Sequence, residues 1–209
     1  MKTIYLIRHA QTAWNADGRW QGSIDIPLDE FGHQQAQALA SHLAARPVGS
    51  VYSSDLLRAR QTAEPVAAAL GLAVQTDPRL REMNLGIFEG LTRSEILQRY
   101  PQELRSLSED YMGFVVPKGE SRQMMQDRAH EALSEIACIG IGPHIVVVTH
   151  GGTIRTLLLK HAPAPQIAAV KFHNTSITTL RYDDGRWSLV ELASTMHLEA
   201  GSQFSTGDL

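Results

Sequence analysis

Two segments, Ile4–His9 (IYLIRH) and Ile145–Gly152 (IVVVTHGG), decide the fold of this 209-residue chain. Each contains a run of four bulky apolar residues without polar alternation, which is typical of a parallel strand buried on both faces. Each run leads to a histidine, His9 or His150. Ligands bind at the carboxyl ends of strands in open parallel sheets, so we expect the two imidazoles to meet in one site. Histidine titrates near neutrality and can serve there as nucleophile, acid, base or ligand.

The composition favours one soluble α/β domain in a reducing compartment. A length of 209 residues is ordinary for one such domain, and a net charge of -3 gives no reason to expect nucleic acid or an anionic membrane as partner. Cys138 is the single cysteine, which excludes an intramolecular disulfide and favours the cytoplasm. We see no signal peptide and no apolar segment long enough to cross a bilayer.

Helical patterns alternate with strand patterns along the chain. Apolar spacing predicts helices from the N-cap Asp29 to Leu43, from about Ala59 to the C-cap Gly71, and through Met125–Ile136. A further helix should open at Gly151. Pro65 lies inside the second pattern and is expected to kink that helix or to mark a restart.

The remaining strand patterns are shorter and lie toward sheet edges. Val51–Ser53 predicts a second strand, and Leu72–Gln75 predicts an edge strand. Ser176–Tyr182 and Trp187–Leu192, joined by Asp183–Arg186, resemble an antiparallel hairpin. The predicted fold is therefore an α/β three-layer αβα sandwich with a mostly parallel central sheet and an antiparallel edge.

We predict one domain over residues 1–198, with residues 81–117 as a lid-like excursion and residues 199–209 as a flexible tail. The excursion shows no strand alternation. Thr92–Glu95 matches a capping box, which predicts a short helix to about Tyr100. Tyr111–Val116 is an apolar cluster without a regular period. The oligomeric state stays open, although an edge strand or a helix face could support a homodimer.

Arginines and a glutamate surround the predicted strand ends. Arg8 precedes His9, Asn15 follows in the next loop, and Arg58 lies where the second predicted helix begins. Guanidinium forks match phosphate oxygens, and a helix start offers free amide groups to an anion. These groups predict a pocket for a phosphoryl dianion. Glu82 follows the third strand and could protonate a departing alkoxide at the pocket mouth.

These residues fall in motifs that resemble the signature of the histidine phosphatase superfamily, which includes the cofactor-dependent phosphoglycerate mutases. The resemblance extends in order over nearly the whole chain. The matching segments are Leu6–Thr12, Trp14-Asn15, Gln21-Gly22, Pro27-Leu28, Gly32, Gln35-Ala36, Ser53–Leu56, Arg58-Ala59, Gln61-Thr62, Leu80–Glu82, Gly86–Gly90, Gly119–Ser121, Thr149–Gly152 and Asn174–Ile177.

The resemblance implies a role for each candidate residue. His9 resembles the nucleophile that becomes phosphohistidine, and Glu82 resembles the proton donor that later activates water. Arg8, Arg58 and His150 resemble the groups that bind the transferring phosphoryl group. The implied substrate-binding set is Arg8, Asn15, Gln21, Gly22, Arg58, His150 and Gly151.

Two further expectations follow from the resemblance. The family's chemistry needs no metal, and we expect no cofactor. Ala10 stands where the family has glycine, so the backbone there should lie in an ordinary region, because alanine avoids positive φ. The added methyl group could crowd the pocket slightly.

The resemblance implies a phosphatase that hydrolyses small phosphorylated metabolites. Mutases of the family resemble a version with a longer, more basic central excursion, whereas here residues 91–117 carry only Arg93, Arg99 and Arg105 as arginines. A cofactor-dependent phosphoglycerate mutase is one alternative. A catalytically silent phospho-ligand binder is another, although a binder needs no proton donor such as Glu82. The sequence does not reveal the natural substrate.

Overall fold

The computed structural model describes residues 1–161 and 164–198, which build one six-stranded sheet with helices on both faces. The strands are β1 (Lys2–Arg8), β2 (Val48–Ser53), β3 (Val74–Thr76), β4 (His144–Thr149), β5 (Ile177–Asp183) and β6 (Arg186–Ser194). Their order is β3-β2-β4-β1-β5-β6. The first four strands pair in parallel, and β5 and β6 add an antiparallel edge. The predicted fold class is confirmed.

Helices follow the strands as expected for crossover connections. They are α1 (Ala13–Ala16), α2 (Glu30–Leu43), α3 (Leu57–Leu70), α4 (Arg93–Arg99), α5 (Pro101–Glu109), α6 (Arg122–Ile139), α7 (Gly151–Leu159) and α8 (Ala164–Ala168). The predictions for α2, α3, α4, α6 and α7 are confirmed. Gly71 ends α3 with a φ of 67°, the left-handed C-cap conformation that glycine favours.

The central strands supply the core on both sides of the sheet. In β1, Ile4 and Leu6 face one way and pack in the cluster formed by α6 and α7. Tyr5 and Ile7 face the other way and pack in the cluster formed by α2 and α3. Successive side chains of a strand point to opposite faces, so a strand covered by helices on both faces needs an unbroken apolar run. This explains the sequence IYLI in β1.

The parallel pairing of β1 with β4 aligns the ends of the two strands. Arg8 is the register partner of Thr149, and the backbone N–H of His9 donates to the carbonyl of Thr149 over 2.8 Å. His9 and His150 therefore leave the sheet side by side. The edge hairpin turns at Asp184 and Gly185, whose φ angles of 46° and 77° suit a tight two-residue connection.

The segment between β3 and α6, which includes the predicted excursion, has more structure than the sequence indicated. It contains 3₁₀ turns at Pro78–Leu80 and Gly86–Phe88, and α4 begins with the predicted capping box. Helix α5 was not predicted. The excursion buries its own apolar cluster, which includes Phe88, Ile96, Leu104, Leu107 and Val116.

One structural expectation was wrong, and another lies beyond the described residues. Helix α3 runs unbroken from Leu57 to Leu70, so the expected restart at Pro65 is wrong, while the alternative, a kink, stays a prediction. Ala63, Val66 and Ala67 pack against the sheet on both sides of the proline, which offsets the hydrogen bond that Pro65 cannot donate. The predicted flexible tail, residues 199–209, falls outside the described residues, and the division at residue 198 stays a prediction.

Substituting alanine for a buried or an exposed leucine should change the free energy of unfolding by very different amounts. Leu133 of α6 is fully buried against the sheet, whereas Leu97 of α4 is 59% exposed. We expect Leu133→Ala to lower the free energy of unfolding by about 2–5 kcal/mol, since it leaves a cavity. Leu97→Ala should change it by less than about 0.5 kcal/mol. Urea denaturation measures both, and equal losses would contradict this packing.

Candidate active site

The site lies where β1 and β4 end. The rings of His9 and His150 have centroids 5.2 Å apart, with their planes tilted by 59°. His9 is 3% exposed and His150 is fully buried. The prediction that distant parts of the chain bring these two imidazoles together is confirmed.

The surroundings of His9 fix the state of its ring. Nδ1 lies 2.7 Å from the carbonyl of Ala10, and because a carbonyl only accepts, Nδ1 carries the hydrogen. Burial is the main reason that the pKa of His9 lies well below 6.5, and the charges of Arg58 and Arg8 lower it further. The ring is therefore neutral near pH 7. Its Nε2 then carries the lone pair.

His150 is held as a neutral ring beside His9. Burial lowers its pKa well below 6.5, with the charges of Arg58 and of other nearby groups adding to this effect. Neither ring nitrogen has a hydrogen-bond partner among the described residues. Leaving a buried donor or acceptor unpaired costs about 1–3 kcal/mol. A bound oxyanion would satisfy the ring N–H.

Arg58 is a fully buried cation at the start of α3. Its Nη1 donates to the carbonyl of Ile24 and its Nη2 to the carbonyl of Gly22, both over 2.7 Å. Burial lowers the pKa of Arg58 to about 10, an effect that the charges of Glu82 and Asp25 partly offset. The guanidinium stays charged at neutral pH, which suits a phosphoryl group.

Arg8 and Asn15 are oriented by neighbouring backbone and side chains. Arg8 is 3% exposed, and its Nη1 donates to the carbonyl of Phe172. The Oδ1 of Asn15 accepts from the backbone N–H of Thr12 over 3.1 Å, which completes the capping box of α1. Both side chains line the same pocket.

Glu82 is 8% exposed and enters the pocket from the excursion. Its Oε1 accepts from the backbone N–H of Met83 over 2.9 Å, and its Oε2 accepts from that of Gly152 over 3.0 Å. A Cβ atom on Gly152 would lie 2.6 Å from Oε1 of Glu82. Glycine at position 152 therefore allows the carboxyl group to approach the start of α7.

Arg128 of α6 anchors the segment that carries Glu82. Its Nη1 donates to the carbonyls of Arg79 and Arg81, and its Nη2 donates to the carbonyl of Glu82 over 3.0 Å. Glu120 pairs with Arg128 and also accepts from the backbone N–H of Asn84. The charged pair thus ties the excursion to α6.

A cavity of about 60 Å³ opens in front of His9. The predicted residues that line it are Arg8, His9, Asn15, Gln21, Gly22, Arg58, Glu82 and Gly151. His150 is not among the lining residues, and its ring lies beside that of His9, with 5.2 Å between the ring centroids. The structure therefore brings every predicted site residue to one place, while their roles stay predictions.

Several residues of the pocket were not predicted. They are Arg19, Trp20, Leu85, Tyr111, Arg122, Gly152, Arg155 and Phe172. Gly152 lies inside the matching segment Thr149–Gly152, Arg122 comes directly after Gly119–Ser121, and Arg155 lies one helical turn after Gly151. Tyr111 and Phe172 carried no comparable signal, because their place depends on how the excursion and the segment before β5 pack.

The structure answers the question raised by Ala10. Ala10 is absent from the described residues with positive φ, so its backbone is ordinary, as predicted. Its methyl group is buried with Leu28 and Ala36, and Ala10 does not line the cavity. The expected crowding of the pocket was wrong, because the side chain points into a separate apolar cluster.

The described residues contain neither a metal-binding cluster nor a helix that could span a membrane. No group of three or more His, Cys, Asp or Glu side chains within residues 1–161 and 164–198 could hold a metal ion. Over the same ranges, every helix is too short or too polar to cross a membrane.

Known proteins resemble the chain over most of its length. The family model described as histidine phosphatase superfamily (branch 1) matches residues 4–195. A protein named phosphoglycerate mutase-like protein 4 from Arabidopsis thaliana is 38% identical over 208 residues, covering 98% of this chain and 90% of that protein. A probable phosphoglycerate mutase, GpmB, from Yersinia pestis is 34% identical over 189 residues, covering 90% of this chain and 88% of that protein.

A solved structure with a similar fold carries a phosphatase name. It is a mycobacterial glucosyl-3-phosphoglycerate phosphatase in complex with VO3. The two folds superpose with a TM-score of 0.80 at 34% sequence identity, covering 93% of this chain and all of that one.

The two buried histidines predict a stability that depends on pH. The unfolded chain takes up protons on His9 and His150 below about pH 6.5, whereas the folded chain, with lowered pKa values, does not. This stability is present above pH 6.5 and is lost as the pH falls. We expect the free energy of unfolding to drop by about 2–4 kcal/mol between pH 7 and pH 5.

Urea denaturation at pH 7, 6 and 5 measures this dependence. His130, His161 and His197, whose pKa values burial also lowers, add to the same trend. His150→Gln removes one of the two buried histidines of the site and should flatten the curve. A wild-type free energy that stays constant over this range, or a variant with the same slope, would contradict the buried neutral pair.

Proposed function

Because the chain belongs to branch 1 of the histidine phosphatase superfamily, we propose that it is a metal-independent phosphatase of small phosphomonoesters. The reaction proceeds through a phosphohistidine on His9, with Glu82 as proton donor. The observation that carries the proposal is the His9 ring, which is neutral, has Nδ1 engaged with a carbonyl, and lines a pocket with buried arginines. The phosphatase name of the similar solved structure supports the hydrolytic branch.

In the first step, Nε2 of His9 attacks phosphorus as the ester P–O bond breaks. Charge spreads over the three equatorial oxygens, and Arg8 and Arg58 stabilise it from fixed positions. Protonated Glu82 gives its proton to the departing alkoxide, which leaves as an alcohol. The phosphoryl group is then bound to His9 through an N–P bond.

In the second step, water attacks the phosphorus atom of the phosphohistidine. Glu82, now ionised, takes a proton from this water, and the N–P bond breaks. Inorganic phosphate leaves, and both His9 and Glu82 return to their starting states. Glu82 thus serves as acid and then as base.

A phosphoglycerate mutase is the second candidate, because one relative is named a probable phosphoglycerate mutase and another is named phosphoglycerate mutase-like. A mutase must hold the phosphorylated product and return the phosphoryl group to a different oxygen. Arg93, Arg99 and Arg105, the arginines of residues 91–117, do not line the cavity. The arginines of this segment therefore do not help to hold a phosphorylated product in the cavity, which supports the phosphatase.

A catalytically silent binding protein would share the arginines and histidines. Glu82 argues for catalysis, because a carboxyl group inside an anion site weakens binding unless it handles a proton. A small phosphorylated metabolite as partner, without nucleic acid or membrane, a cytoplasmic location and a possible homodimer stay predictions.

We expect the wild-type protein to hydrolyse p-nitrophenyl phosphate with EDTA present. His9→Ala should lower kcat by at least about 10³-fold, since it removes the nucleophile. His33→Ala serves as the matched control, because His33 is an exposed histidine of α2, and it should keep the wild-type rate.

Three results would contradict the proposal. They are no turnover by the wild-type protein, loss of turnover on adding EDTA, and undiminished turnover by His9→Ala. Isomerisation of 3-phosphoglycerate that depends on a bisphosphoglycerate primer and exceeds phosphate release would identify the mutase instead.

A further inference from the structure

The pocket holds more positive charge than one phosphoryl group needs. Five arginines line it, against the single carboxylate of Glu82. Arg8 and Arg58 belong to the phosphoryl site, and Arg19 pairs with Glu95 over 3.1 Å. Arg122 and Arg155 remain without an assigned task.

Arg122 occupies an unfavourable place for a cation. It is the first residue of α6, an 18-residue helix whose N-terminus is the positive end of its dipole. Its side chain is nine-tenths buried, and no acidic side chain among the described residues forms an ion pair with it. A site that breaks several local rules at once is a candidate for function.

The guanidinium of Arg122 is nevertheless held firmly. Its Nη1 donates to the carbonyl of Tyr111 over 2.9 Å, and the group stacks over the Tyr111 ring at 4.1 Å from the centroid. A second, longer contact joins Nη1 to the carbonyl of Leu107 at 3.4 Å. Within the described residues, Nε and Nη2 make no hydrogen bond, so the Nε–Nη2 edge stays available.

Arg155 of α7 is a second cation that lines the same pocket. It donates to the carbonyls of Ile167 and Val170 and stacks on Phe172 at 5.2 Å from the ring centroid. Burial lowers the pKa of Arg122, Tyr111 and Glu82 oppose this shift, and the charge of Arg155 adds to it. Both guanidinium groups line the pocket, and an anion bound near the two would reduce the repulsion between their charges.

We propose that Arg122, assisted by Arg155, binds a carboxylate of the substrate, so that the preferred substrates are phosphomonoesters that also carry a carboxylate. The free Nε–Nη2 edge of a guanidinium matches the two coplanar oxygens of a carboxylate. This inference rests on the proposed phosphatase function and names its substrate class.

Two substrates that differ only in the carboxylate test the inference. 3-Phosphoglycerate carries this group, and glycerol 3-phosphate has a hydroxymethyl group in its place. We expect wild-type kcat/KM to be at least about tenfold higher for 3-phosphoglycerate, since a hydrogen-bonded charge pair contributes that much. Arg122→Gln should remove this preference, so that kcat/KM falls at least about tenfold more for 3-phosphoglycerate than for glycerol 3-phosphate.

Two control variants separate a specific effect from a general one. Arg105→Gln removes the same charge from an exposed position of α5 and should keep the preference. Arg122→Lys keeps the positive charge but lacks the paired N–H donors of a guanidinium. It should retain part of the preference for 3-phosphoglycerate. Turnover of glycerol 3-phosphate by Arg122→Gln also shows that this variant is folded.

Binding to His9→Ala distinguishes failure of this inference from failure of the proposed function. Calorimetry should show 3-phosphoglycerate binding at least about tenfold tighter than glycerol 3-phosphate, and Arg122→Gln in the same background should equalise the two. This binding result without any turnover in the wild type would support the carboxylate site and refute the phosphatase. The carboxylate site would be overturned if the wild type had equal kcat/KM values for the two substrates and His9→Ala bound them equally tightly. An equal fall of kcat/KM for both substrates in Arg122→Gln would overturn it as well.

Discussion

The parallel register of β1 with β4 is the constraint on which the site depends. It places Arg8 opposite Thr149, so that the next residue of each strand, His9 or His150, leaves the sheet at the same level. A shift of one residue would move every side chain of β1 to the other face of the sheet. The register is fixed because both faces are covered by helices. Core packing thus determines the distance between the two imidazoles.

A second layer of contacts holds the backbone around the nucleophile. The Nδ2 of Asn174 donates to the carbonyl of His9 over 2.9 Å, and the backbone N–H of Thr175 donates to that of Arg8 over 3.0 Å. Thr175 has a φ of 58°, an uncommon value for a β-branched residue. The surrounding structure must compensate for such strain, and strained residues cluster at functional sites. Burying His9, His150 and Arg58 also costs free energy of folding, which the apolar core offsets.

The sequence predicted those parts of the structure that depend on local pattern. Unbroken apolar runs identified β1 and β4, and cap residues such as Asp29 and Gly71 marked the helix ends. The family resemblance supplied Arg58 and Glu82 as site residues. The sequence did not reveal Arg122 and Arg155 as pocket residues, because their place depends on how α6 and α7 pack against the excursion. The expected restart at Pro65 was wrong because a local rule ignores the packing on both sides of the proline.

The central claim is that one PO₃ group, held between the ends of β1 and β4, becomes bonded to His9. Rapid quench of the wild-type protein with a ³²P-labelled phosphomonoester, followed by peptide mapping, tests this directly. The account predicts label that is stable in base and labile in acid, carried by the peptide that contains His9 and absent from His9→Ala. Label on another residue, or none during steady turnover, would contradict it.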